Sequence, residues 1–336
     1  MKIKNIIVIG LGFSFITCAC GNKTTSPSGT NTSTTQPYEK VSPDFNADSA
    51  YNFVDKQVAF GPRVPNTKEH VACGDYLVAE LKRFGAEVTE QKMTLTAYNG
   101  TKLNARNIIG SYGTGKKDRV LLFAHWDSRP YADHDPDPAN HHTPILGAND
   151  GASGVGVLLE IARIIQTQEP TIGIDIIFFD AEDYGVPVFN KDYKGSSDET
   201  WAMGSRYWSK NPHVADYKAR FGILLDMVGG KDATFYREYY SIKYARNIIE
   251  KVWTTAGRLG YGKYFINQDG GGVTDDHLPV NEIRRIPSVD IIDYNMEREN
   301  GFVDEWHTQA DNMSNIDRKT LGVVGQTVLE VIYKEK

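Results

Sequence analysis

"NDGASGVGVLLEIARIIQ", residues 149–166, followed a few residues later by "IGIDIIFFD", residues 172–180, decides the fold class. The first stretch opens on glycines and is then apolar nearly all round, as a helix buried against a sheet must be. The second is a continuous apolar run, the pattern of a central strand covered on both faces. "RFGILLDMV" (220–228) has the same character. Upstream, residues 47–60 and 66–84 read as helices. Asn66 and Glu69 are spaced as a capping box for the second. Strands are expected at about 87–93, 105–111 and 119–124. Downstream come a helix over 241–259, a strand in "IPSVDII" (286–292) and a closing helix over 316–334. Strands alternating with helices predict an α/β domain over 45–336. The expected architecture is a three-layer α/β/α sandwich with a mixed, largely parallel central sheet. No internal repeat is present.

The chain has 336 residues, 40% hydrophobic and 24% charged, ample for one large core. A net charge of −6 without a basic patch argues against a nucleic-acid partner. "MKIKNIIVIGLGFSFITCAC" carries lysines, then a short apolar stretch, then small residues and cysteine, the pattern of an export signal. "TCAC" looks like a lipoprotein cleavage box. The expectation is a signal peptide over 1–19 and a lipidated Cys20 that anchors the chain to a bacterial membrane on the periplasmic side. Simple cleavage nearby, giving a free protein, is the alternative. Residues 20–44, rich in Ser, Thr, Gly and Pro, read as a flexible tether. Only Cys73 remains beyond the signal region, so an intramolecular disulfide is impossible in the mature domain. Cys73 sits in an amphipathic helix and reads as a small buried hydrophobe.

Polar residues follow the expected strands. His125 and Asp127 follow 119–124, Asp180, Glu182 and Asp183 follow 173–179, and Asp226 closes 221–225. Open α/β sheets bind ligands outside the carboxyl ends of their strands. Each residue also has an ordinary reading. His125 and Asp127 face the same way on an extended chain and could be a structural pair or a metal ligand with its supporting carboxylate. Asp150 could be a helix N-cap. Glu182-Asp183 could be a solvated pair, and Asp226 a salt-bridged strand end. Asp275 in "GGGVTDDHLP" could be a turn acid, and His307 in "EWHT" a lone loop histidine.

In this order, "HWD", "NDG", "AED", "DMVG" and "EWHT" resemble the zinc aminopeptidase clan, with its pattern HxD … D … EE … D … H. The resemblance runs from about residue 50 to the C-terminus. In the two-zinc members, the match to Asp150 bridges both ions. Matches to Asp183 and His307 complete one site, and those to His125 and Asp226 the other. "AHWDSRP", "LLDMVG", "GGGVTDDHLP" and "EWHT" are similar to the zinc-dependent glutaminyl cyclases built on the same fold. That resemblance implies one zinc ion, held by Asp150, Asp183 and His307. It also implies Glu182 as the proton-transferring base, Asp226 and Asp275 as a hydrogen-bonded acid network behind it, and Trp306 as a wall for the glutamine side chain. The one departure is Asp183, where many clan members carry Glu; its shorter arm must be matched by the backbone.

One zinc suits cyclisation. The substrate's own amine attacks its own amide, so no water has to be activated. A single metal with an open position can polarise the carbonyl, and one carboxylate can carry the proton. The expected substrates are peptides and exported proteins with N-terminal Gln. The rival readings are a two-zinc aminopeptidase on the same scaffold and a non-enzymatic binding lipoprotein. Residues 184–200 are expected as an irregular loop, bordering the pocket or a plain surface excursion. "YADHDPDPANHHT" (131–143) lacks the glycine and terminal glutamate of an EF-hand loop and reads as solvated surface.

Overall fold

The computed structural model describes residues 38–336. The expected signal peptide, Cys20 and most of the tether lie outside the described residues. In chain order the elements are α1 (Ala47–Val58), α2 (Lys68–Arg83), β1 (Glu87–Thr96), β2 (Lys102–Tyr112), β3 (Arg119–His125), α3 (Ala152–Thr167), β4 (Gly173–Phe179), α4 (Met203–Lys210), β5 (Phe221–Asp226), β6 (Phe235–Arg237), α5 (Tyr239–Arg258), β7 (Phe265–Asp269), the single turn α6 (His277–Pro279), β8 (Ser288–Ile292) and α7 (Arg318–Tyr333). Six strands form one sheet in the order β1-β2-β4-β3-β5-β8. β2 pairs antiparallel with β1 and β4. The β4-β3-β5-β8 half is parallel throughout. The sheet is therefore mixed and largely parallel, as expected. β6 and β7, absent from the sequence reading, form a separate parallel pair.

The pleat of the strands sorts the core into layers. Val120, Leu122, Ala124, Ile176, Ile223 and Leu225 join the larger cluster, built with α1, α2, α3, α5 and α7. Their alternate neighbours Leu121, Phe123, Ile177, Phe179 and Leu224 pack on the other face, against Trp208 of α4 and Val280. This is the three-layer sandwich. α3 packs closely against the sheet. A Cβ on Gly154 would lie 2.0 Å from the Leu225 carbonyl oxygen, so only glycine permits this approach. Cys73 is fully buried, and burial pushes its thiol up to about 12.

Three expectations are corrected. The cap of α2 is Thr67, whose side chain accepts the His70 N–H. Asn66 instead has φ 78° and bonds Lys102 and Asn104 with its side-chain amide. The tether ends earlier than residue 44. Glu330 of α7 accepts the Tyr38 hydroxyl and the backbone N–H groups of Val41 and Ser42, so residues 38–42 lie against α7. The 131–143 segment is not simply solvated surface. Ala132, Asp133 and Asp135 are buried, each acid paired with groups distant in sequence or fixed in the same loop.

Candidate metal centre

The parallel strands deliver their carboxyl ends to one edge. His125 ends β3 and Asp226 ends β5. Glu182 and Asp183 follow β4, Asp150 lies in the turn before α3, Asp275 lies just before α6, and His307 comes from the loop between β8 and α7. Asp150 is not the helix cap: Gly151 occupies that position, with φ 90°, and no side chain caps it. A Cβ at Gly151 would fall 2.7 Å from the Asp127 carbonyl oxygen.

Three connections at the site pass through the left-handed region, at Ala181 just before Glu182 (φ 55°), Met227 just after Asp226 (φ 48°) and His307 itself (φ 56°). Such backbone costs about 1–3 kcal/mol per residue and persists where surroundings enforce it. Beside Ala181 the Asp127 carboxylate does so, and Asp311 clamps the turn before α3 in the same way. Asp127 accepts the N–H groups of Glu182 (3.1 Å) and Asp183 (3.2 Å). Asp311 accepts those of Asn149 (2.7 Å) and Asp150 (3.0 Å). Asp127 thus acts chiefly as a backbone clamp, with its Oδ1 a further 3.5 Å from His125 Nδ1.

Asp150, Asp183 and His307 each offer a ligand atom within 4.8 Å of the others, and all are buried. His307 Nε2 lies 3.3 Å from Asp183 Oδ1 and 3.6 Å from Asp150 Oδ2. Neither Asp183 oxygen has a hydrogen-bond partner. Buried, unpartnered carboxylate oxygens beside an imidazole nitrogen are the donor set of a zinc site. Burial and the neighbouring Asp150 push Asp183 well above the carboxylate range, a cost that a cation among them removes. Burial pushes His307 well below its usual value, leaving it neutral and able to ligate.

His125, Asp150 and Asp226 form a second such group within 4.8 Å. Here Nε2 of the imidazole is already paired with both acids, while His125 Nδ1 has no hydrogen-bond partner. His125 Nε2 sits 3.0 Å from Asp150 Oδ1 and 3.2 Å from Asp226 Oδ1. Burial opposes its charge, but the surrounding carboxylates of Asp127, Asp150 and Asp226 prevail and raise it well above the usual histidine value.

Glu182 is buried and faces a cavity of about 240 Å³, walled by Trp201, Tyr294, Phe302 and Trp306. Trp306 stacks on His307 (3.6 Å between centroids) and on Phe302 (4.2 Å). Burial, then the Asp275 charge, pushes Glu182 well above the carboxylate range. Burial and Asp226 do the same to Asp275. Of the expected acid network, Asp226 hydrogen-bonds His125, and Asp275 accepts the Asp276 N–H. Asp198 of the 184–200 loop also lines the cavity. Sequence reasoning missed Asp311, Trp201 and the buried arginines. Arg63 donates to the carbonyls of Trp126, Leu146 and Gly147. Arg129 stood in the quoted "HWDSRP" and Asp311 four residues after His307; nothing local marked either as buried.

Residues 107–332 match the description "Peptidase family M28". Among solved structures, a Zn-dependent exopeptidase from Parabacteroides distasonis ATCC 8503 is 64% identical with a TM-score of 0.85, covering 87% of this chain and 99% of that one. Bacteroides thetaiotaomicron glutaminyl cyclase is 61% identical with a TM-score of 0.85, covering 88% of this chain and 100% of that one. The glutaminyl-peptide cyclotransferase of Drosophila melanogaster is 26% identical over 282 residues, 77% of this chain and 73% of its own length.

Proposed function

Because the chain belongs to peptidase family M28, we propose that it is a zinc-dependent glutaminyl cyclase converting N-terminal glutamine to pyroglutamate with release of ammonia. The observation that carries this reading is the juxtaposition of two unlike clusters beside Glu182. One has bare carboxylate oxygens on Asp183, and the other is closed by His125 pairing with Asp150 and Asp226. That difference supports a single zinc ion held by Asp150, Asp183 and His307.

When bound, zinc supplies a Lewis acid that polarises the γ-amide carbonyl. The rest is done by side chains. Trp306 and Trp201 wall the cavity and hold the glutamine side chain folded back on its own amine. Restricting that rotation makes attack effectively unimolecular with the right geometry. The α-amine nitrogen bonds to the side-chain amide carbon, Cδ, and the bond from that carbon to the amide nitrogen breaks. Glu182 takes the proton from the attacking amine and delivers it to the leaving nitrogen, which departs as ammonia. Its raised affinity for a proton suits a group that must accept and then return one. Burial, then the neighbouring Asp275 carboxylate, sustains that affinity.

The proposed substrates are peptides and exported proteins with N-terminal glutamine. The proposed location, a membrane tether through lipidated Cys20 on the periplasmic side, rests on the export-signal pattern of residues 1–20. A Cys20→Ala protein leaves the membrane fraction if it is right.

The test is mass spectrometry of a Gln-initiated peptide incubated with the zinc-loaded protein and with Glu182→Gln. Loss of ammonia from an otherwise intact peptide, reduced on the order of 10²–10⁴-fold in the variant, supports the cyclase. A two-zinc aminopeptidase is the second reading, favoured by the ligand-atom spacing of His125, Asp150 and Asp226. It predicts a peptide shortened by its first residue.

A further inference from the structure

The 131–143 segment holds a group that the mechanism above does not use. Asp133 is 2% exposed, and its two oxygens form a fork with Arg129, Oδ1 to Nε at 2.6 Å and Oδ2 to Nη2 at 2.7 Å. Oδ2 also accepts the Val188 N–H at 2.9 Å. So occupied, this carboxylate is poorly placed to ligate a metal. Its Oδ1, however, lies 3.6 Å from His307 Nδ1. That nitrogen is buried and has no hydrogen-bond partner. Once Nε2 faces a metal, the imidazole proton must sit on Nδ1, and a buried donor requires an acceptor. Asp133 is the carboxylate in reach.

The same ion pair touches the second ligand. Arg129 Nη1 donates to the Asp183 carbonyl at 3.1 Å and lies 3.6 Å from Asp183 Oδ1. It also donates to the Gly185 carbonyl, and its guanidinium lies 4.6 Å from the Trp201 ring. One buried Arg–Asp fork therefore spans His307, Asp183 and both ends of the 184–200 loop.

We propose that Asp133 is a positioning residue of the metal centre. It accepts the Nδ1–H of His307 and, through Arg129, sets the Asp183 carboxylate, so zinc affinity depends on a side chain that is not a ligand. This inference rests on Asp150, Asp183 and His307 being the zinc ligands. It does not rest on what reaction follows.

The test is zinc affinity, measured by competition with a chromophoric chelator, together with the melting temperature with and without zinc. The proteins are the parent, Asp133→Asn, Asp133→Ala and Asp135→Asn. Asn keeps the shape of Asp but turns an N–H toward Arg129 and Val188, so it remains informative if the Ala protein folds poorly. Asp135→Asn is the control. Asp135 orders the same loop by accepting the N–H groups of Asp137 and Gln309 without touching the His307 ring. The expected result is about 10–100-fold weaker zinc binding in the Asp133 variants, a smaller zinc-dependent rise in melting temperature, and unchanged affinity in Asp135→Asn. Parent-like affinity in both Asp133 variants overturns the proposal. So does an equal loss in Asp135→Asn, which assigns the effect to loop order. A protein that binds zinc in this Asp133-dependent way but does not cyclise glutamine overturns the proposed reaction and leaves this inference standing.

Discussion

Gly154 of α3 and Leu225 of β5 approach so closely that a methyl group on the glycine would lie 2.0 Å from the Leu225 carbonyl oxygen. The contact fixes the helix that follows Asp150 against the strand that ends in Asp226. Gly154→Ala must push them apart. Overpacking a close-packed interior costs typically about 1–3 kcal/mol. A lower midpoint in denaturant is expected, with weaker zinc binding because Asp150 moves with its helix. An unchanged midpoint would mean that the helix and sheet separate at no cost.

Asp127 uses both carboxylate oxygens to hold the N–H groups of Glu182 and Asp183. In Asp127→Asn one oxygen becomes an amide donor facing another donor. The catalytic carboxylate shifts while the cavity walls stay. Displacement of a catalytic group by about 1 Å is worth on the order of 10²-fold. Steady-state kinetics should show that loss in kcat, with KM nearly unchanged. A rise in KM alone would place Asp127 among substrate-binding groups instead.

His125 distinguishes one metal ion from two. With its Nε2 paired to Asp150 and Asp226, the proposed stoichiometry is one zinc per chain in both the parent and His125→Ala. Metal analysis after dialysis against buffered zinc reads this directly. Two equivalents in the parent falling to one in the variant would restore the two-zinc reading.

Glu330 sets an acid limit on the N-terminal segment. Burial works to raise its pKa, but hydrogen bonds from Ser42, Tyr38 and Val41 outweigh it and lower the value from 4.5 to about 2. A depressed carboxylate contributes stability that is complete above its unfolded value and is lost as pH falls through its folded value. The window is therefore about pH 4.5 down to 2. Amide exchange across residues 38–44 should accelerate in that range, and Glu330→Gln should abolish the dependence. Exchange that is flat with pH in the parent would show that this anchor does not need the charge.

The legible parts of this chain were those written in local periodicity. Apolar runs at 172–180 and 220–228 required covered strands, and the buried character of 149–166 required a helix lying on them. Acids placed just beyond such strands must meet at one sheet edge, which brought His125, Glu182, Asp183 and Asp226 together before any coordinates. The 131–143 segment shows the limit. Its run of aspartates and histidines lacks the glycine and terminal glutamate of an EF-hand loop and so reads as solvated surface. Asp133 is nonetheless buried, because Arg129 neutralises it and Val188, more than fifty residues on, donates to it.

By itself, then, the amino-acid order determined the layers, the sheet edge and the residue types gathered there, since neighbours along the chain decide which faces are apolar. Only the tertiary structure decided how those acids divide their work. Asp183 is left with bare oxygens, while Asp127 and Asp311 are consumed by backbone N–H groups, and His125 closes its own cluster. The reason is physical. A carboxylate becomes a ligand, a clamp or a proton carrier according to which donors reach it once water is gone, and those donors arrive from distant parts of the chain.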